Sequence, residues 1–311
     1  MTLKMRVGET TMLRAGKRAL TLTVATLLGL GIVRGAARAG TVEGRAGDED
    51  AVKQSSATRE AFDRYVKLTE ERINAELAPG GPFLWPDTLP AGERDGAYAA
   101  LRRGEIRIEH LATLDHGKEI ECPKGLIHHW VGIVYVPGAT LEQTLRMVQD
   151  YDHHAEVYAP DVARSKLISR AGDDFRVYLR FHRKKIVTVV LDTEHDVHYQ
   201  RLDATRAASR SVSTRVQEVR DAGSKDEKDL PEGEGGGYLW RINSYWRFLG
   251  RDGGTYVQCE SVSLTRDIPL GFGWLIGPFV ESIPRESLRF TLEATRNHLG
   301  AARNSAAPVV Q

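Results

Sequence analysis

The residues best equipped for chemistry in this chain are histidines that come in groups. His128 and His129 are adjacent, His153 and His154 are adjacent, and Glu194, His195, Asp196 and His198 crowd one short stretch. Imidazoles and carboxylates together can bind a divalent metal or pass protons, and either task needs them on one face. Neighbours in a strand point to opposite faces, so His128 and His129 cannot hold one ion between them. His153 and His154, with Asp150 and Glu156 nearby, fall in a segment expected to be helix or loop. No two histidines there stand four apart, the spacing that a chelating helix face requires. Along a strand His195 shares a face with Val197, while Glu194, Asp196 and His198 share the other, as in an ordinary charged strand. No GxSxG motif, P-loop or flanked glycine-rich dinucleotide fingerprint is present. The expectation is therefore no catalytic residue, no metal and no cofactor.

What would position a site is a series of alternating segments. Phe175, Val177, Leu179 and Phe181 alternate with Arg176, Tyr178, Arg180 and His182. Trp240, Ile242, Ser244, Trp246 and Phe248 alternate with Arg241, Asn243, Tyr245 and Arg247. Val187, Val189 and Leu191 alternate with Thr188, Val190 and Asp192. A sheet with one face covered and one in water reads this way. The apolar set is expected under a covering helix and the Arg/Tyr set in solvent. A second reading turns Arg180, Tyr245, Arg247 and Glu260 inward as a polar floor for a ligand head group, against which desolvation works.

The cover is the stretch 271–299. It opens with Phe272, Trp274, Leu275, Ile276, Phe279 and Val280, meets Pro284, and continues with Leu288, Leu292, Thr295 and Leu299 at helical spacing. The proline predicts a break or kink near Ile283. Upstream, a strand is expected over 105–109 and another over 126–136. A helix over 140–148 capped by Thr140 and a short helix with a loop over 151–162 come next. Strands follow at 163–169, 175–182, 186–199 and 205–219, then a charged glycine-rich loop at 221–237. The pair 239–248 and 256–266 is joined by Arg251-Asp252-Gly253-Gly254, a hairpin signal. Residues 58–77, with Thr58 as cap, and 91–103 read as helices ahead of the sheet.

Composition sets outer bounds. The 311 residues are 41% hydrophobic and 27% charged, with a net charge of +1. That supports a real core and gives no clustered basic face, so nucleic acid is not an expected partner. Lys4, Arg6, Arg14, Lys17 and Arg18 precede an apolar run, residues 19–33, that ends near Ala37-Arg38-Ala39. This is the layout of a signal peptide over 1–39, and the run is short of the roughly 20 apolar residues a membrane span needs. Export would place the protein in the periplasm or outside the cell. There Cys122 and Cys259 either pair or remain two thiols. The expected domains are thus 1–39, a leader and helical extension over 40–124, a main domain over 125–300 and a flexible tail over 301–311.

The stretches GLIHHWVGIVYVPGATLEQTLRMVQDYDHH, LWRINSYWRF and VQCESVSLTRDIPLGFGWLIGPFVESIPRESL carry a family resemblance. Residues 125–299 resemble the START-like or SRPBCC (polyketide cyclase/dehydrase-like) superfamily, especially its exported bacterial members. The resemblance implies an α+β helix-grip fold, a curved antiparallel sheet of about seven strands closed by a long C-terminal helix. To this the chain adds the N-terminal helical extension. On function the resemblance is broad, since the superfamily holds lipid carriers, cyclases and hydroxylase subunits.

Three functions are compatible with this reading. One is binding of a lipid or other apolar small molecule between sheet and helix, with transient membrane contact as a further partner. The expected ligand-binding residues are Phe175, Val177, Leu179, Phe181, Val189, Trp240, Ile242, Trp246, Phe248, Trp274, Phe279 and Leu288. A cyclase- or hydrolase-like enzyme would use the same pocket, with His129, Tyr135 or Tyr178 as acid or base. The third is an envelope domain without a ligand.

Overall fold

The computed structural model describes residues 54–184, 188–267 and 273–306, and within the last helix the side chains of 282–301. The expected signal peptide, the leader as far as residue 53, Val187 and the end of the tail at 307–311 lie outside the described residues.

The elements are α1 (Ser56–Leu77), α2 (Ala91–Arg102), β1 (Arg107–His110), β2 (Leu114–Asp115), β3 (Lys118–Glu119), β4 (Gly125–Pro137), α3 (Leu141–Gln149) and α4 (His154–Val157). They continue as β5 (Val162–Ala171), β6 (Asp174–Lys184), β7 (Thr188–Arg201), β8 (Arg206–Arg220), β9 (Lys228–Asp229), β10 (Arg241–Arg251), β11 (Gly254–Arg266) and α5 (Gly273–Ala306). The main sheet runs β1-β4-β11-β10-β8-β7-β6-β5, with β9 added to β8, and the pairs are antiparallel. The fold is the expected α+β helix-grip, with one strand more along its main path than the seven or so expected. Small polar hairpin β2–β3 and the two-residue β9 carry too little periodicity to be read from sequence.

Local chemistry explains the boundaries. Asp252 and Gly253 both have positive φ, 60° and 73°, the mirror-image turn that suits the twist of a two-residue hairpin between β10 and β11. Thr140 and Gln143 make a reciprocal capping box at the start of α3. At α1 the cap is Ser55, which accepts the Thr58 N–H, and Thr58 instead spends its hydroxyl on the Pro123 carbonyl at 2.7 Å. Pro284 does not break α5, which runs unbroken from Gly273 to Ala306 and so passes the expected end of the domain. A helix interior tolerates one missing N–H when its apolar face is held by packing.

That packing is tight at one point. Leu288, Leu292, Thr295 and Leu299 are buried, and α5 crosses β4 at Gly132. A β-carbon on Gly132 would sit 2.6 Å from Leu292 Cδ1 and 3.0 Å from Leu288 Cγ, so the absence of a side chain lets the helix down onto the sheet.

The other face of the sheet corrects the sequence reading. Tyr245, Arg247 and Glu260 are buried, not solvated, because α1, α2 and the turn at Trp85–Thr88 lie across β4, β10 and β11. Phe62, Tyr65 and Ile73 of α1 pack on Trp240, Tyr245, Val262 and Leu264, while Tyr98 and Leu101 of α2 pack on Ile133, Tyr135, Leu249 and Tyr256. Alternation says which residues share a face but not what covers it. The extension also brings counter-charges. Glu76 accepts from Arg247 at 2.5 Å, Arg72 pairs with Glu260, and Glu70 accepts from Tyr245 Oη at 2.9 Å.

Cys122 and Cys259 are free thiols with different surroundings. Cys259 belongs to the core under α5, and Cys122 packs at the α1 side.

Gly132→Ala should cost about 1–3 kcal/mol by overpacking, and Leu292→Ala about 2–5 kcal/mol. Urea unfolding of the double variant should show less than the summed loss, because the shortened Leu292 makes room for the new methyl. Additive losses would mean that the helix does not rest on that glycine.

Candidate functional site

The concave face of the sheet and α5 enclose a cavity of about 440 Å³. Its walls follow from strand period. Odd-numbered residues of β6 and β7 point inward, giving Val177, Leu179, Phe181, Val189, Leu191 and Val197. β10 contributes Ile242, Ser244 and Trp246, and α5 contributes Ile283, Pro284, Ser287, Leu288 and Thr291.

Of the residues expected to bind a ligand, Val177, Leu179, Phe181, Val189, Ile242, Trp246 and Leu288 line this cavity. Phe175 and Phe248 belong to the core on the same side of the sheet, where Phe175 packs against Tyr151 and Tyr199 and Phe248 stacks on Trp246. Trp240 is on the opposite side, in the cluster beneath α1. It precedes β10 and so lies outside that strand's alternation, and beside it the Ile242 N–H donates to Ser213 Oγ (3.0 Å). The side chains of Trp274 and Phe279 lie outside those described.

Sequence reasoning missed the polar part of the wall. His195 lines the cavity beside Val197, and its Nε2 lies 2.9 Å from Thr193 Oγ1. Tyr199 lines it too, its hydroxyl donating to the Val148 carbonyl at 3.0 Å and meeting Tyr151 Oη at 2.9 Å. His154 lines it from α4, between the rings of Tyr151 and Tyr158. Burial pushes His154 and His195 from the usual 6.5 down to about 4, so both are neutral at pH 7, although the carbonyls of Val148 and Met147 favour the charged form of His154. The shared face of His195 and Val197 was the available signal. It pointed to an inward histidine.

The rim is charged. Arg183 pairs with Asp161 at 2.7 Å and donates to Ser287 of α5, tying β6 to the covering helix. Arg266, Asp267 and Tyr238 also border the cavity.

None of the acid–base candidates taken from the sequence reaches the cavity lining. Tyr135 lies in the cluster beneath α2, and Tyr178 donates to Asp192 at 2.5 Å. His129 sits under α1, its Nδ1 2.8 Å from Tyr65 Oη and its Nε2 2.8 Å from Glu260 Oε1. This Tyr–His–carboxylate chain has the form of a proton relay. At 1% exposure for His129 and 2% for Glu260, with a helix over it, it has no room for a substrate and serves to seat α1. The polar floor of Arg180, Tyr245, Arg247 and Glu260 is likewise absent from the cavity lining: Arg180 pairs with Asp192 and Glu227, and the other three lie beneath the extension. Among the described residues no group of three metal-ligating side chains occurs, and no helix is long and apolar enough to cross a membrane.

No protein-family model and no curated protein matches the chain. Among solved structures it is similar to a STAR-related lipid transfer protein from Xanthomonas axonopodis, at 20% identity over 58% of this chain and 95% of that one, TM-score 0.38. It is also similar to the Zhui aromatase/cyclase from Streptomyces sp. R1128 (13% identity, 59% and 100% coverage, TM-score 0.40) and to human STARD10 (9%, 70% and 84%, TM-score 0.42). These neighbours are START lipid-transfer domains and aromatase/cyclases.

The buried histidines make stability depend on pH. His128, held by Thr265 at 3.1 Å, is also pushed down to about 4, chiefly by burial. Each imidazole binds its proton more weakly when folded, so between about pH 6.5 and 4 the unfolded chain takes up more protons. Stability should be level above pH 6.5 and fall as pH drops through that window. Urea midpoints at pH 7.5, 6.5, 5.5 and 4.5 measure it, and His195→Gln should flatten the slope. A midpoint unchanged from pH 7.5 to 4.5 would show these imidazoles to be freely protonated.

Proposed function

We propose that this protein binds a lipid or another apolar small molecule in the cavity between sheet and α5 and releases it unchanged. The cavity itself carries the proposal: a space of about 440 Å³ walled by Val, Leu, Ile, Phe and Trp side chains, with its charged groups at the rim. Ligand pockets of a few hundred Å³ with a mostly apolar wall and few polar groups have this character. The driving force is removal of apolar surface from water, about 25 cal/mol per Å² before the cost of immobilisation. The Arg183 link to Asp161 and Ser287 is placed to hold the entrance closed between exchanges.

One observation favours a second reading, chemistry in the same cavity. His195 and Tyr199 border it, and a neutral imidazole can act as a base. Both are already engaged, His195 with Thr193 and Tyr199 with Val148 and Tyr151, so binding without conversion is the simpler use of the wall.

The test is uptake of N-phenyl-1-naphthylamine, an uncharged apolar fluorophore. Its emission should rise on adding protein, and Leu179→Trp, which fills the space from β6, should weaken uptake at least tenfold at an unchanged urea midpoint. No rise with the unsubstituted protein would leave the envelope-domain reading without a ligand as the survivor. The proposal also sets the protein in the cell envelope, after removal of residues 1–39. N-terminal sequencing of the exported chain should begin at Gly40, and a chain retaining earlier residues would overturn that part.

A further inference from the structure

We infer that the ligand is an apolar molecule with hydroxyl or carbonyl oxygens ranged along one edge, and that a band of serines on β8, β10 and β11 reads that edge. The inference rests on the cavity reading above and narrows it. The sheet register sets Ser244 directly between Ser211 of β8 and Ser261 of β11. All three line the cavity, and so does Ser263, opposite Ile242 in the next row. Neighbouring strands are about 4.8 Å apart, so the three-serine row spans roughly 10 Å, the scale of a small fused-ring molecule.

These hydroxyls have not been used by the fold. Among the described residues, none of Ser211, Ser244, Ser261 and Ser263 makes a side-chain hydrogen bond to protein, although Ser263 is only 6% exposed. A second wall shows the same deficit. His154, 8% exposed, borders the cavity, and its Nε2 is buried with no hydrogen-bond partner. A ring nitrogen and a row of hydroxyls covered by bare hydrocarbon would all lose water without replacement, which opposes binding. Oxygens on the ligand would restore those bonds. Alanine at the same positions would suit a plain alkyl chain better.

The remaining walls say where the oxygens are not. Val177, Leu179 and Phe181 of β6 and Leu288 of α5 form an apolar side, so apart from one hydroxyl at His154 the polarity is wanted along the serine row. The two rows themselves carry no charged group; on these strands the charged lining residue is Arg266, at the end of β11. The band therefore fits neutral oxygens and not an ionised head group.

Two isomers, each with one carbonyl on either long edge, separate placement from polarity: 1,8-dihydroxyanthraquinone, with both hydroxyls on one edge beside a carbonyl, and 2,6-dihydroxyanthraquinone, with its hydroxyls at opposite ends. In displacement of N-phenyl-1-naphthylamine from the protein, the 1,8 isomer should compete at about tenfold lower concentration, the scale of one or two hydrogen bonds. Ser211→Ala/Ser244→Ala/Ser261→Ala should erase that preference while the naphthylamine binds as well as before. Equal competition by the two isomers in the unsubstituted protein overturns the inference whatever the triple variant does, and so does a preference that survives the substitutions. Uptake of the naphthylamine with no isomer preference would leave the cavity reading standing alone. If the naphthylamine is not taken up at all, the cavity reading falls and this inference with it.

Discussion

The structure turns on one constraint: both faces of the central strands β4, β10 and β11 are covered by other elements. On the concave side α5 covers them, and on the convex side α1, α2 and the turn at Trp85–Thr88 do. A strand in that position is expected to be apolar on both sides. These strands are not, since their convex side carries His129, Arg247, Gln258 and Glu260, each at most 2% exposed. Such groups are tolerable only if they find partners as water leaves. The extension supplies them. Arg72 and Glu76 of α1 meet Glu260 and Arg247, Tyr65 meets His129, the Phe83 carbonyl accepts from Arg247 at 2.9 Å, and the Trp85 N–H donates to Gln258 at 2.6 Å. The extension is thereby bound to this sheet by complementarity. An undocked α1 would leave buried-face charges to be hydrated again, and a mis-registered one would leave them opposed.

The same network explains where pKa values move. Glu260 stays below the ordinary carboxylate range although burial pulls it upward, because His129 and Arg72 outweigh that pull. Burial lowers His129 in spite of Glu260, which leaves a neutral ring able to accept from Tyr65 and donate to the carboxylate at once. A neutral histidine between a phenol and a carboxylate satisfies all three without an extra buried charge. That is a structural solution, and its likeness to a catalytic relay is one of form only.

Much of this was legible in the sequence, for a physical reason. Period-two alternation in residues 175–182 and 242–248 and the helical stripe Leu288, Leu292, Thr295 and Leu299 each report burial on one face, and burial on one face is what those patterns encode. The cavity wall of Val177, Leu179, Phe181, Ile242 and Trp246 came out of the same period. What the pattern does not encode is a partner distant in sequence. Arg247 looks like a solvent residue until Glu76, 171 positions earlier, is laid beside it. Trp240 falls on the opposite side because the alternation of β10 does not extend to the residue before the strand. His195 stands within a strand that reads as charged, yet its own face holds Val197 and Tyr199, and the opposite face carries the charges.

The two faces also differ in how they treat polarity, and the difference bears on function. On the convex side polar groups are numerous, include the ionised Arg72, Glu76, Arg247 and Glu260, and most meet protein partners, with Arg247 Nε and Trp240 Nε1 as buried exceptions. On the concave side they are serine hydroxyls and imidazoles held neutral by burial, and several of them lack protein partners. A fold that needed only to fill space could have done so on the concave side as it did beneath α5, with Leu292 driven against Gly132. Instead, short side chains stand in a row under the helix where large ones would close the cavity. Small residues leave volume, and their hydroxyls leave bonding capacity. Together they describe a space kept open for something that is mostly apolar and partly oxygenated.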